Sequence, residues 1–282
     1  MKFDLFKNYL TESEFDLLSN EEKKWISNII LHYSGLPSLK EIWREMDIVW
    51  EYYNCDATVM DERVSQFYKH PIWLLNGFFV ENDKLSKANR DFFLKWIIDK
   101  SPKRIADFGG GFGTLARMIA EALPESNVEV IEPHPSAIAL HRAKRFKNLS
   151  YKVEFVGEYD LIIATDVYEH VQDPVFLFIQ TASFLRAQGY YLTANCFAPV
   201  IKCHLPQNFH FSQSWDHVVK AMGMNISNRM LYGTVFKRTS DLKITKSRIL
   251  EQKSETLWKY THNLPGRINR ALAKVLFSTF WA

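Results

Sequence analysis

The chain has little of what stabilises small secreted domains or crosses membranes. Its 282 residues include three cysteines, Cys55, Cys196 and Cys203, and no Cys-x-x-Cys pair. A sparse, odd set without that spacing argues against a disulfide framework and against a structural zinc site. No uncharged apolar run approaches the roughly 18 residues that a membrane-spanning helix needs. Lys7 and Glu12 interrupt any apolar signal region, so we expect a soluble, cytoplasmic protein.

The chain also lacks a strong excess of charge of either sign. Lys and Arg total 35 against 32 for Asp and Glu, which gives a net charge of +3 at pH 7. Nucleic-acid-binding proteins usually concentrate positive charge on one face, so the composition argues against a nucleic-acid partner. Aromatic residues are plentiful, with 21 Phe, 12 Tyr and 8 Trp. They suffice for a large core and for an aromatic-walled pocket.

Hydrophobic periodicity divides the chain into three parts. The N-terminal part has helical spacing, and strands alternate with helices from Arg104 onward. Such alternation is typical of a mostly parallel sheet with helices on both faces. We therefore predict an α/β fold with a doubly wound, seven-stranded, mostly parallel sheet that ends in an antiparallel hairpin. The predicted parts are a helical N-terminal cap or lid (1–85), the core (86–240) and a helical C-terminal tail (241–282).

The end of the tail carries an apolar stripe at helical spacing. Ile268, Leu272, Val275 and Leu276 form the stripe, and basic residues lie mostly off it. The pattern favours a helix packed on its own domain or on a second copy of the chain, which would make a homodimer. The alternative is contact with a membrane surface, which basic amphipathic segments also make.

A glycine-rich turn follows the first strand of the alternating part. Asp107 lies near the end of that strand, and Gly109, Gly111 and Gly113 follow before a helix begins. Glycine allows close approach of a ligand, and a helix N-terminus offers free N–H groups. The spacing also fits the dinucleotide pattern Gly-x-Gly-x-x-Gly/Ala, whereas the absence of Gly-Lys-Ser/Thr excludes a P-loop. Asp107 would repel a pyrophosphate but would attract a ligand that bears an ammonium and a sulfonium.

The same residues resemble the first motif of the class I S-adenosylmethionine-dependent methyltransferases, an acid followed by Gly-x-Gly-x-Gly. Asp107, Gly109, Gly111 and Gly113 match that motif in full. The resemblance implies that S-adenosylmethionine is the cofactor and that these four residues bind it.

A second acid lies where the next strand ends. Glu132 comes 19 residues after Gly113 and is followed by Pro133. A carboxylate at this position can accept hydrogen bonds from both ribose hydroxyls, in dinucleotide enzymes as well as in methyltransferases. By resemblance to the methyltransferase pattern, Glu132 binds the ribose and Pro133 lies near the adenine.

A longer motif follows at the fourth strand. Residues 160–174 read DLIIATDVYEHVQDP, which closely resembles a segment of many small-molecule methyltransferases of this class. The resemblance implies that Thr165, Asp166 and Val167 line the far side of the cofactor. It also implies that His170 faces the space where the methyl donor and the acceptor meet.

Three histidines are candidate bases. Methyl transfer needs alignment of acceptor and donor, and a hydroxyl or ammonium acceptor also needs a base to remove its proton. His170 is the first choice, and His204 and His210 follow the fifth strand at the same sheet edge. Glu169 beside His170 could join a metal site in some relatives, but no further ligand stands out, so we expect no metal.

We therefore expect an S-adenosylmethionine-dependent methyltransferase that acts on a small-molecule acceptor. O-methylation of a sugar or a similar metabolite is the favoured reaction. Two alternatives stay open: an NAD-dependent oxidoreductase and a non-catalytic scaffold that keeps the methyltransferase fold. The resemblance covers about residues 104–238.

Overall fold

The computed structural model describes residues 3–264 and Leu272. The rest of the predicted stripe, Ile268, Val275 and Leu276, lies outside the described residues. No helix in the described part of the chain is long and apolar enough to cross a membrane.

The chain divides into two compact units. The first unit comprises Met1–Phe155 with Val200–Cys203, and the second comprises Val156–Pro199 with His204–Ala282. The first contains the helices of the predicted cap and three strands, and the second contains the four remaining strands of the sheet among the described residues.

Helices that begin at polar caps form the N-terminal part of the first unit. Thr11, Ser19 and Ser38 each precede a helix and have a glutamate three residues further on, and each pair forms a capping box. The helices enclose an apolar core that includes Phe6 and Phe67, both with no exposed surface. The helices are α1 (Glu12–Asp16), α2 (Asn20–His32), α3 (Leu39–Tyr52), α4 (Glu62–Lys69), α5 (Ile72–Asn82) and α6 (Lys84–Lys100).

Strands and helices alternate in the rest of the first unit. The elements are β1 (Arg104–Phe108), α7 (Thr114–Ala122), β2 (Asn127–Ile131), α8 (Ala137–Ala143) and β3 (Leu149–Lys152). β2 pairs in parallel with β1 and with β3. Phe108 pairs with Ile131, so the loops that follow β1 and β2 leave the sheet side by side.

The second unit continues the alternation and ends in a hairpin. The elements are β4 (Tyr159–Thr165), α9 (Pro174–Ala182), β5 (Leu185–Ala194), α10 (Phe211–Ala221), β6 (Met224–Arg229), β7 (Gly233–Arg238) and α11 (Thr245–Thr261). β4 and β5 are parallel, and Thr165 pairs with Ala194 at their carboxyl ends. β7 is antiparallel to both β5 and β6. The segments that follow Thr165 and Ala194 therefore start next to each other.

The strands of the described residues form one sheet in the order β3-β2-β1-β4-β5-β7-β6. It has seven strands, it is parallel except for the terminal hairpin, and helices accompany it, which confirms the predicted fold class. The predicted domain boundaries after residues 85 and 240 stay predictions.

Candidate functional site

The loop after β1 has a backbone that needs glycine. Gly109, Gly111 and Gly113 have φ values of 67°, 50° and 70°, in the left-handed region that residues with side chains avoid. The Gly109 N–H donates to the Ile131 carbonyl at 2.9 Å, and the Gly113 N–H donates to the Gly110 carbonyl at 2.8 Å. The loop is thus a closed turn that is fixed to the end of β2 and leads directly into α7.

Asp107 is buried beneath this loop. The residue is only 2% exposed, and its Oδ1 atom has no hydrogen-bond partner among the described residues. Burial raises the pKa of Asp107 from 3.8 to about 7, and the charge of Arg90 opposes that rise. An unpaired carboxylate oxygen in a buried position is unfavourable unless a ligand satisfies it. Asp107 therefore has the properties of a binding group for a cationic ligand.

Gly110 allows the loop to close over that carboxylate. A Cβ atom at Gly110 would lie 2.6 Å from Asp107 Oδ2 and 3.0 Å from Val130 Cγ1. Gly110 is not among the site residues predicted from the sequence, because the motif assigns ligand contacts only to Gly109, Gly111 and Gly113. The signal that could have identified Gly110 is the presence of four glycines in this run, where the motif requires three.

Glu132 reaches from the end of β2 to the same loop. Its Oε2 accepts a hydrogen bond from the Gly111 N–H at 3.1 Å, and its Oε1 accepts one from the His134 N–H at 3.1 Å. Each carboxylate oxygen can accept more than one hydrogen bond, so Glu132 keeps capacity for ligand hydroxyls. Pro133 is exposed beside it. The structure thus brings the predicted ribose-binding acid onto the glycine loop.

Two further side chains hold the loop in place. The Tyr151 hydroxyl donates to the Gly111 carbonyl at 3.2 Å, and Arg117 Nη1 donates to the Phe112 carbonyl at 2.6 Å. A Cβ at Gly113 would collide with the Tyr151 hydroxyl. Tyr151 could not be predicted from the sequence, because it lies on β3 outside any motif and nothing in its spacing distinguishes it.

In the second unit, the predicted residue Thr165 ends β4, and the predicted residues Asp166 and Val167 follow it. Asp166 has a φ of 55°, an unusual conformation for a residue with a side chain, and its N–H donates to the Ala194 carbonyl at 2.7 Å. Such backbone strain costs about 1 to 3 kcal/mol and is concentrated at functional sites. The backbone therefore turns sharply where the motif predicts contact with the cofactor.

The next turn, Tyr168–His170, is held by a buried asparagine. Asn208 is 1% exposed, and its Nδ2 atom lies 2.7 Å from the Val171 carbonyl and 3.3 Å from the carbonyls of Tyr168 and Glu169. The Leu205 N–H also donates to the Glu169 carbonyl at 2.9 Å. Asn208 was not identified from the sequence, because a single asparagine in a loop carries no pattern.

The side chain of Glu169 points into the protein. The residue has no exposed surface, and its Oε1 accepts a hydrogen bond from the Cys196 N–H at 2.7 Å. Its Oε2 has no hydrogen-bond partner in the part of the chain that the structure describes. Burial, with a further contribution from the charge of Asp166, raises the pKa of Glu169.

His170 and His204 lie next to each other beside Glu169. The centroids of the two rings are 4.7 Å apart, and the ring planes are inclined at 80°. His204 is 6% exposed, and its Nδ1 atom lies 2.9 Å from the Ala198 carbonyl, to which only an N–H can donate. One candidate ligand atom from each of Glu169, His170 and His204 lies within 4.8 Å of the others. The group can move a proton or bind a cation.

His210 lies in a different environment. It is 4% exposed, its Nδ1 atom is 3.0 Å from Ser254 Oγ of α11, and burial lowers its pKa to about 4. Ser254 Oγ also lies within 3.1 Å of the His210 carbonyl oxygen and 2.7 Å from Ser214 Oγ. These contacts join α10 to α11. A role of His210 as a base stays a prediction, and its contacts favour a structural role.

Comparison with known proteins identifies the family. Residues 80–224, more than half of the chain, match the family model described as a methyltransferase domain. No curated protein matches the chain.

Similar solved structures include human N-acetylserotonin methyltransferase in complex with S-adenosylmethionine, with 15% identity, a TM-score of 0.48 and coverage of 71% of this chain and 65% of that protein. An O-methyltransferase family protein from Burkholderia thailandensis has 15% identity, a TM-score of 0.48 and coverage of 84% and 76%. The N-methyltransferase NodS from Bradyrhizobium japonicum has 16% identity, a TM-score of 0.43 and coverage of 56% and 99%. This chain thus spans slightly less than two thirds of the human protein. On the family match, the chain belongs to the methyltransferase-domain family.

Proposed function

We propose that this protein transfers the methyl group of S-adenosylmethionine to a small-molecule acceptor. Membership of the methyltransferase-domain family supports the reaction class. The observation that carries the proposal is the buried carboxylate of Asp107, whose Oδ1 atom has no hydrogen-bond partner among the residues described.

The charge of Asp107 suits this cofactor better than a dinucleotide. S-adenosylmethionine carries an ammonium and a sulfonium, and a buried carboxylate attracts both because the surrounding dielectric is low. A pyrophosphate at the same loop would face two carboxylates, Asp107 and Glu132, and would be repelled. The match to a methyltransferase-domain family likewise gives no support to the alternative of an NAD-dependent oxidoreductase.

The remaining cofactor contacts that we propose follow the motifs. Gly109, Gly111 and Gly113 allow the backbone to approach the ligand, and Glu132 accepts hydrogen bonds from the ribose hydroxyls. Pro133 lies near the adenine, and the segment Thr165–Val167 lines the other side of the cofactor.

Binding of S-adenosylhomocysteine, measured by calorimetry with NAD⁺ in parallel, tests the cofactor. We expect the wild type to bind S-adenosylhomocysteine and to show no binding of NAD⁺. Asp107→Asn removes a charge-assisted hydrogen bond worth about 1.5 to 3 kcal/mol, so binding should weaken by about 10- to 100-fold. Asp99→Asn, at an exposed acid on α6, is the control and should bind normally. Tight binding of NAD⁺ without a response to S-adenosylhomocysteine would contradict the proposal.

For the acceptor, we propose a hydroxyl of a sugar or a similar metabolite. The cluster of Glu169, His170 and His204 can take part in removing the proton of a hydroxyl acceptor. Incubation with methyl-labelled S-adenosylmethionine and a panel of hydroxyl and amine acceptors tests this. Label on amines alone would overturn O-methylation, and cofactor binding without label on any acceptor would favour the scaffold alternative.

A cytoplasmic location and a homodimer or membrane contact through the tail are further proposals. They rest on the composition and on the stripe around Leu272, most of which lies outside the described residues. Sedimentation of the full chain, with and without anionic vesicles, separates the dimer from membrane contact.

A further inference from the structure

We propose that Glu169, His170 and His204 form a binding site for a divalent transition-metal ion. Candidate ligand atoms of these three residues all lie within 4.8 Å of one another. The first two residues belong to the turn after β4, and the third comes from the loop after β5. The proposal stands on this cluster and does not depend on the identity of the methyl donor.

The donor set points to a transition metal of the zinc type. Two imidazoles and one carboxylate suit Zn²⁺, which binds histidine nitrogen and carboxylate oxygen at about 2.0 to 2.2 Å. Mg²⁺ and Ca²⁺ prefer oxygen ligands and bind weakly to such a set.

Glu169 contributes the second, independent observation. The residue has no exposed surface, and its Oε2 atom lacks a hydrogen-bond partner among the residues that the structure describes. Its other oxygen accepts the Cys196 N–H, which fixes the orientation of the carboxylate. A buried carboxylate oxygen without a partner is costly, and a cation bound to Oε2 would remove that cost.

His204 is held in the tautomer that a metal ligand needs. Its Nδ1–H donates to the Ala198 carbonyl at 2.9 Å, so the lone pair of the neutral ring is on Nε2. A backbone carbonyl that accepts from the second nitrogen is a common partner of metal-binding histidines.

The backbone around the cluster is fixed as well. Asn208 bridges the carbonyls of Glu169 and Val171, and the Leu205 N–H donates to the Glu169 carbonyl. These bonds connect the two segments that carry the ligands, so the ligands start close together before an ion binds.

The observed spacing requires a small closure. Bonds of about 2.1 Å in a tetrahedral site place neighbouring ligand atoms about 3.4 Å apart. The ligand atoms are now at most 4.8 Å apart, so their separations have to shrink by up to about 1.4 Å, which rotation of the half-buried His170 side chain can supply. Three protein ligands leave at least one coordination position for water or for an oxygen of the acceptor.

Metal titration of the full chain tests the site. The protein is treated with a chelator, dialysed and titrated with Zn²⁺ by calorimetry, with Mg²⁺ in parallel. We expect one Zn²⁺ per chain and at least tenfold weaker binding of Mg²⁺. The absence of Zn²⁺ binding, or equal binding of Mg²⁺, would overturn the proposal and leave a hydrogen-bonded Glu–His cluster only.

Variants that keep the surrounding hydrogen bonds locate the ion. Glu169→Gln retains an oxygen for the Cys196 N–H, and His204→Asn retains a donor for the Ala198 carbonyl, but each lacks the proposed ligand atom. Loss of a second-shell partner alone weakens metal binding by about 10- to 100-fold, so both variants should lose at least that much. His262→Asn, at an exposed histidine after α11, should bind as the wild type does.

A spectroscopic measurement on the wild type covers the case in which a variant fails to fold. Co²⁺ replaces Zn²⁺ in histidine and carboxylate sites and gives an intense visible absorption when it is four- or five-coordinate. We expect that absorption at one equivalent, and a spectrum identical to free Co²⁺ would contradict the site. Because metal binding and S-adenosylhomocysteine binding are measured separately, failure of one does not count against the other.

Discussion

The ring of Phe112 in the glycine loop lies against Gly77 of α5. A Cβ atom at Gly77 would stand 2.6 Å from Phe112 Cγ, closer than any real contact allows. Phe78 meets the same ring edge-on at 5.8 Å, and the Arg117 guanidinium lies 5.3 Å from its centre. The position of the candidate binding loop is therefore set by a helix of the N-terminal part.

We expect Gly77→Ala to displace the loop. Alanine raises helix propensity by about 1 kcal/mol, but overpacking against Phe112 costs about 1 to 3 kcal/mol. Melting temperature should fall or stay level, and binding of S-adenosylhomocysteine should weaken several-fold. Asn76→Ala on the same helix is the control. A variant that melts higher than the wild type and binds equally well would contradict the role of this contact.

Asp107 should make the ligand-free protein less stable as the pH rises. Its pKa is raised from 3.8 to about 7, so the folded state holds the proton more tightly than the unfolded chain does. The resulting stabilisation is complete below pH 4 and is lost as the pH rises through 7, a change of about 4 kcal/mol in the free energy of unfolding. Asp107→Asn should therefore be more stable than the wild type by about 4 kcal/mol at pH 8 and by less than about 2 kcal/mol at pH 5. Urea denaturation at both pH values measures this, and an unchanged difference would contradict the raised pKa.

The same group should make cofactor binding depend on pH. A cationic ligand binds the ionised form of Asp107, which is scarce in the ligand-free protein below pH 7. The affinity for S-adenosylmethionine should rise between pH 6 and pH 8 and level off above. Calorimetry across that range checks the trend, and Asp107→Asn should remove it.

Arg142 should be essential for the stability of the first unit. Its Nε atom donates to Glu14 Oε1 at 2.8 Å, its Nη2 donates to the Tyr9 carbonyl at 2.9 Å, and it also pairs with Glu81. Burial would raise the pKa of Glu14, but the hydrogen bond and charge of Arg142 outweigh it and lower that pKa to about 2.

Removal of Arg142 leaves Glu14, which is 2% exposed, as a buried charge without its main partner. We expect Arg142→Met to lower the free energy of unfolding at pH 7 by about 3 to 5 kcal/mol. The double variant Arg142→Met/Glu14→Gln should recover part of that loss in urea denaturation. If both variants are equally unstable, the ion pair is not the cause. In the wild type, the contribution of Glu14 is present above pH 4.5 and is lost as the pH falls towards 2.

Tyr151→Phe should weaken ligand binding without unfolding the protein. It removes only the hydroxyl that donates to the Gly111 carbonyl, a bond worth about 0.5 to 1.5 kcal/mol. Binding of S-adenosylhomocysteine should therefore weaken by about two- to tenfold. Tyr52→Phe, at a tyrosine that is 76% exposed, serves as the control. Equal binding by Tyr151→Phe would show that the hydroxyl does not shape the loop.

The fold class and the glycine loop were predictable because period and glycine spacing are local signals. The ends of the individual strands were less predictable. The pattern predicts the third strand over 151–156, whereas β3 is Leu149–Lys152, and it predicts the fifth strand from Gly189, whereas β5 begins at Leu185. Only two residues join α9 to β5, so the apolar pattern of the helix runs into that of the strand. The sequence therefore does not show where the helical period ends and the strand period begins.

For His170 and His204, the sequence predicted the shared edge of the sheet but not the direct contact between the two rings. His204 lies 34 residues after His170 in the chain, and the two meet because β4 and β5 are parallel and their carboxyl ends share an edge. Tyr151 and Asn208 also act through contacts with a loop that is distant in the sequence. A lone residue of this kind has no spacing pattern, so only the folded structure identifies it.

The unpaired carboxylate of Asp107 also bears on how many mutations the chain tolerates. A group that destabilises the ligand-free protein at neutral pH reduces the margin that is left for other destabilising substitutions. Random substitutions elsewhere will therefore unfold the wild type more often than they unfold the same chain with Asp107→Asn. Mutational robustness and ligand binding are opposed at this one side chain.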